Sequence, residues 1–258
     1  MGSVRAGFTG AVNSEWIKFC GLISNKVLAG VTFVLIVANA VLMPWAYVLR
    51  DRGSVQSDYD PYPEMVIDKT AYIGLILAIL ATLVITNEYR SGQIKTTLLA
   101  TPTRTPVLAA KAVIVAGIGF VIGVVSAGIG YVLAPVILAR GGYSYILTTS
   151  DAVRLVLGSG LYLAVLPILG LAVGVLVRSV VGSVLVVLAL MLIVPYVPQI
   201  FSAAGAIITQ YFPLQAGSRL LTVIEPGSLD PWAGFGILLF WTLIVVVMAG
   251  IAYHRRDA

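Results

Sequence analysis

Long apolar runs alternate with short polar joints along this chain. No Asp, Glu, Lys, Arg or His falls within Val27–Leu49, Thr70–Asn87, Ala112–Ala139, Leu155–Val177, Ser179–Ser218 or Pro231–Tyr253. A helix of about 20 apolar residues crosses the hydrocarbon core of a bilayer, and a charge at its centre costs about 2.5 to 3.5 kcal/mol on insertion scales. The pattern predicts spans over 27–49, 70–87, 112–138, 155–177, 180–196 and 232–253. The fold class expected is therefore all-α integral membrane, one domain over 1–258 with six transmembrane helices.

Two stretches need more than a simple crossing. Ser179–Ser218 is too long for one span and too short for two with a solvated loop, and Pro195, Pro198 and Pro213 punctuate it. It predicts a span that stops near Tyr196, then short re-entrant helices within 197–231 that dip into the outer leaflet before the last span. Ahead of the first span, Phe8, Val12, Trp16, Phe19, Cys20 and Ile23 recur in steps of three and four, while Asn13, Ser14, Glu15, Lys18, Asn25 and Lys26 take the other positions. This predicts an interfacial helix over 7–25, lying on the inner membrane surface with its polar face, Glu15 included, turned to water. Gly119, Gly123 and Ala127 on the third span and Gly170 and Gly174 on the fourth are spaced four apart, which suits close helix packing. Pro167 is expected to kink the fourth span.

Composition supports this picture: 59% of residues are hydrophobic and 10% charged, against about 25% charged in soluble domains. MGSVRAG leads into no signal-peptide core, because the first long apolar run begins at Val27. Cys20 is the single cysteine, which excludes an internal disulfide and a thiolate metal cage. Ten of the sixteen basic residues fall in 1–26, 87–111, 178–179 and 254–258, so both termini are expected in the cytoplasm. The net charge of +5 reads as a topology signal and not as a nucleic-acid footprint. Asp51, Asp58, Asp60, Glu64 and Asp68 then form a solvated acidic loop outside.

The largest polar segment on the inner side is NEYRSGQIKTTLLATPTRTPVLAAK, Asn87–Lys111. Glu88 closes a helix, where the dipole disfavours an anion, so it calls for a basic partner such as Arg90, Arg104 or Lys111, or for a backbone donor. Gly92 allows a sharp exit, Gln93–Ala100 suits two helical turns presenting Ile94, Leu98 and Leu99, and Pro102 stops them. Thr105 followed by Pro106 marks the next helix start.

At these residues the chain resembles the ABC-2-type permeases, the membrane subunits of ATP-binding-cassette exporters. Their second and third spans are joined by a stretch opening E-Y-R-S-G-x-[IL] and running through Leu and Pro to a basic or hydroxyl residue. Glu88, Tyr89, Arg90, Ser91, Gly92, Ile94, Leu98, Pro102 and Arg104 carry the resemblance. It implies that 88–104 holds a coupling helix docking into an ATPase subunit and that 7–25 is the connecting helix. It also implies two copies of an ABC ATP-binding subunit and a second permease, identical or related, in the lipid of the cytoplasmic membrane.

No lysine here has the G-x-x-x-x-G-K-[ST] context, since Asp68 and Ile94 precede Lys69 and Lys95. The chain is expected to be no enzyme and to bind no cofactor or metal itself, with ATP and Mg on the partner ATPase. An intramembrane enzyme would need acid, base or nucleophile within the spans, where no carboxylate or histidine lies. A secondary transporter, the main alternative, usually leaves intramembrane carboxylates, and a structural or signalling subunit is the other. A pathway free of fixed charge suits an apolar or amphiphilic solute such as a drug, an antibiotic peptide or a lipid. Thr32, Asn39, Met43, Thr82 and Thr86 are candidates for lining it, or equally for bonds between helices.

Overall fold

A computed structural model describes residues 8–51, 63–67, 69–92, 104–143, 148–201, 205–222 and 229–255. Every regular element among them is helical: α1 (Phe8–Gly21), α2 (Ile23–Asp51), α3 (Thr70–Ser91), α4 (Arg104–Ala139), α5 (Thr149–Val177), α6 (Val180–Phe201), α7 (Gly205–Thr209), α8 (Pro213–Ser218) and α9 (Pro231–Arg255), with short 3-10 turns between. Helices α2, α3, α4, α5, α6 and α9 are long and apolar enough to cross a membrane, which makes this a multi-pass membrane protein with six spans.

Most helices outrun the charge-free stretches that predicted them. Helix α4 starts at Arg104, about two turns before Ala112, because Thr105–Pro106 begins the helix and the chain carries it through Lys111. Helix α3 passes through Gly74, whose right-handed backbone keeps a bond from its N–H to Thr70 O at 2.9 Å. The expected stop of the fifth span at Tyr196 is replaced by a continuation to Phe201. Pro195 and Pro198 have no N–H to give the preceding turn, and the chain absorbs both by widening over Ala189–Ile193 and tightening over Val194–Tyr196.

Helix α5 is the core of the bundle, with 72% of its most apolar stretch buried, against 22% for α6 and for α9. The small residues explain how neighbours approach it. A Cβ on Gly123 would meet the backbone of Gly160 at 2.7 Å, and one on Gly119 would run into the Leu163 carbonyl. On another face of α5, Gly170 lies against the Ala78 carbonyl of α3, and Gly174 sits beside Thr82 and Ile85. These are packing seams where lipid supplies no hydrophobic drive between helices.

The end of the bundle that carries α1 and the last turn of α9 is here termed proximal. Away from that end, Trp241 Nε1 donates to Tyr211 O at 3.0 Å, and its ring stacks on Phe212 with centroids 6.1 Å apart. Trp241 lies ten residues into α9, about 15 Å along it, so the α7–α8 turn sits beside the middle of a span.

Helix α1 packs on α4 and is separated from α2 by one residue, Leu22. Asn25 closes the corner by donating from Nδ2 to Phe19 O at 3.3 Å. The expected orientation of α1 is corrected here: its buried residues are Ala11, Glu15 and Phe19, whereas Phe8, Trp16 and Ile17 are exposed.

Candidate coupling site

Five of the nine motif residues lie on the last turn of α3 and its exit. Gly92 adopts φ 70° and donates its N–H to Tyr89 O at 3.4 Å, the left-handed cap that lets the chain leave the helix abruptly. Arg90 and Ser91 are exposed, and Ser91 Oγ donates to Asn87 O at 2.9 Å. Ile94, Leu98 and Pro102 lie outside the described residues, as does the expected coupling helix; Arg104 begins α4, and its side chain also falls outside them.

Glu88 points the other way, into protein. It is 6% exposed, and its Oε1 accepts from Lys111 Nζ at 2.7 Å and from Lys18 Nζ at 3.4 Å. Lys111, 3% exposed, also donates to Glu15 Oε2, and Glu15 Oε1 accepts from Lys18 at 2.6 Å. Two carboxylates and two ammoniums thus close a neutral ring that ties α1, α3 and α4 together. Buried charges are costly unless paired, so each member holds the others in place. This ring turns Glu15 inward, because Lys111 would otherwise meet only one carboxylate. Burial pulls the Lys18 ammonium down, but its bond to Glu15, the field of Glu88 and Glu15, and its bond to Glu88 outweigh that and hold it above the usual lysine value.

A second tie joins the motif to the turn between α5 and α6. Arg178 caps α5 at φ 58°, unusual for a residue with a side chain, and its N–H bonds Gly174 O at 3.0 Å. Its guanidinium carbon lies 5.1 Å from the centre of the Tyr89 ring, within cation–π range. Ser179 then caps α6, its Oγ accepting from Gly182 N at 3.3 Å.

Between α1, the start of α2 and the end of α3 runs a groove of about 660 Å³, walled by Phe19, Leu22 and Val84 and by Asn25, Asn87, Glu88, Arg90 and Ser91. Of the ring members, sequence reasoning named Lys111 as one possible partner of Glu88 and missed Glu15 and Lys18, although the three-residue spacing of that pair was there to see. Arg178 carried no signal beyond its place between two spans.

The candidate pathway residues divide between two helices, Thr82 and Thr86 on α3 and Thr32, Asn39 and Met43 on α2. Thr82 Oγ1 lies 2.9 Å from both Ala78 O and Gly170 O, buried between α3 and α5, and Thr86, also buried, donates to Thr82 O at 2.8 Å. Thr32 is buried and bonds Leu28 O at 2.8 Å. Asn39 reaches Val66 O at 3.5 Å, and Met43 is exposed on α2.

The family model described as ABC-2 family transporter protein matches residues 54–258. The chain belongs to that family of ABC permeases, whose members pair with an ATP-binding subunit. Glu88, Lys111 and Arg178 fall inside the match; Glu15 and Lys18 precede it. No curated protein matches the chain.

Proposed function

We propose that this chain is the membrane-spanning half of an ABC exporter that moves an apolar or amphiphilic solute out across the cytoplasmic membrane. Two permease chains, identical or related, stand over two ATPase subunits that carry ATP and Mg; this chain binds no nucleotide and catalyses nothing alone. Both termini, and with them the proximal end, face the cytoplasm. The α7–α8 hairpin is then re-entrant, as its seat beside Trp241 supports.

The observation that carries the reading is Lys111 shared between Glu15 and Glu88. It puts the E-Y-R-S-G exit of α3, the connecting helix α1 and the base of α4 in one rigid joint beside the segment that docks the ATPase. A push on that segment moves three helices together, and the Tyr89–Arg178 contact passes it to the α5–α6 turn. Alternating orientations separated by a few kcal/mol respond to a coupling of that size, and charged hydrogen bonds are worth about 1.5 to 3 kcal/mol each.

The test is reconstitution with the cognate ATPase. Glu88→Gln keeps the side-chain shape and should preserve insertion and assembly while lowering solute moved per ATP hydrolysed. Asp151→Asn, at the distal end of α5, is the control and should leave that ratio unchanged. Equal ratios in parent and Glu88→Gln would remove the joint from the mechanism. Hydrolysis of ATP by the purified chain alone would overturn the whole assignment.

A further inference from the structure

One atom of the proximal ring lacks a partner among the described residues. Glu88 Oε1 takes both lysines, while Oε2 is buried without a hydrogen-bond partner among the described residues. Buried acceptors in native proteins are nearly always answered, and an ionised carboxylate has acceptor capacity on both oxygens. Glu88 also lines the groove, so a donor held there stands next to its carboxylate.

The charges around that groove restrict what enters it. Glu15 and Glu88 face Lys18, Lys111 and Arg90, so the lining is formally positive by one. A lone cation would reach Oε2 against that field, and a lone anion would leave Oε2 unanswered. A zwitterion meets both demands, with an N–H donor for Glu88 and an anion for exposed Arg90 and half-exposed Lys18. The groove also has an apolar wall of Phe19, Leu22 and Val84, and Leu22 and Ile23 at the α1–α2 corner are exposed apolar residues at the end of a membrane-spanning helix.

We infer that this groove binds the headgroup of a zwitterionic aminophospholipid, its primary ammonium donating to Glu88 Oε2 and its phosphate paired with Arg90, its chains lying along the Leu22–Ile23 corner. A phosphatidylethanolamine fits this description. A phosphatidylcholine does not, because its trimethylated nitrogen has no N–H to donate. The lipid completes the ring that joins α1 to α3 and α4, and the site stands independently of what the permease exports.

The permease is purified into nanodiscs of phosphatidylcholine alone or with increasing phosphatidylethanolamine, and retained lipid and melting temperature are measured. Phosphatidylethanolamine should be retained over phosphatidylcholine and should raise the melting temperature. Glu88→Gln and, separately, Arg90→Gln should each cut that preference by roughly tenfold or more, the loss of one charged hydrogen bond. Arg90 is exposed, so its variant remains informative if Glu88→Gln folds poorly. Equal retention of the two lipids, or an unchanged preference in Arg90→Gln and in folded Glu88→Gln, overturns the inference. Equal protection by soluble phosphoethanolamine in phosphatidylcholine discs would assign the site to a free phosphoamine instead of a lipid. A Glu88→Gln defect confined to ATPase affinity, with lipid preference intact, would assign Oε2 to a donor on the partner protein.

Discussion

Lys111 is the residue on which the proximal joint depends most. Lys111→Met keeps the length of the side chain and removes its charge, leaving Glu15 and Glu88 buried with Lys18 as their remaining listener among the ring members. Removing one partner of a buried ion pair typically costs about 3 to 5 kcal/mol, because the stranded charge has lost its solvent without compensation. Lys18 stays within 2.6 Å of Glu15 and 3.4 Å of Glu88 but is half-exposed, so it offsets only part of that loss. A net cost near 3 kcal/mol shifts the melting temperature of a chain this size by about 6 to 12 °C, at roughly 2 to 4 °C per kcal/mol. The assay is thermal unfolding of the purified permease, with Trp16 on α1 as a local fluorescence probe. The triple variant Glu15→Gln, Glu88→Gln, Lys111→Met removes the stranded charges as well and should recover most of the shift, since replacing a whole buried ion cluster is often close to neutral. A Lys111→Met melting within about 2 °C of the parent, below the smallest cost this mechanism allows, would refute the reasoning.

Three further outcomes follow from other contacts. Gly123→Val drives a side chain into the Gly160 backbone and should destabilise by about 1 to 3 kcal/mol, whereas Gly128→Val on the same helix meets nothing within 4 Å and should not; equal melting of the two would show that the α4–α5 seam can open. Arg178→Gly relieves the left-handed backbone while Arg178→Ala keeps it, and both lose the Tyr89 contact, so the Gly variant should be the more stable by about 1 kcal/mol; an Ala variant melting at or above it would refute the strain. Lys18 is held above the usual lysine value, so its contribution is complete below that value and disappears only as pH rises through the raised one. The melting difference between parent and Lys18→Met should therefore stay constant from about pH 6 to 9, and a dependence within that window would contradict the assignment.

How much of this was legible in advance follows from the range of each interaction. The charge-free runs determined six spans by themselves, because exclusion of charge from hydrocarbon acts on every residue of a run and needs no knowledge of neighbours. The four-residue glycine spacing announced the α4–α5 and α3–α5 seams for a similar local reason, although which helix each glycine would meet was not written in it. Gly92 and the Thr105–Pro106 start were equally readable, since backbone conformation and a missing N–H are properties of the residue. Tertiary structure alone decided the direction in which Glu15 points. A helical wheel put it on the wet face of an interfacial helix, and only the arrival of Lys111, 96 positions away, makes that carboxylate more stable inside than out. The same holds for Arg178 over Tyr89 and for the fifth span, α6, running on past Pro195: pairing energy and the packing of a whole bundle, both absent from any local window, outweighed what the single residue prefers.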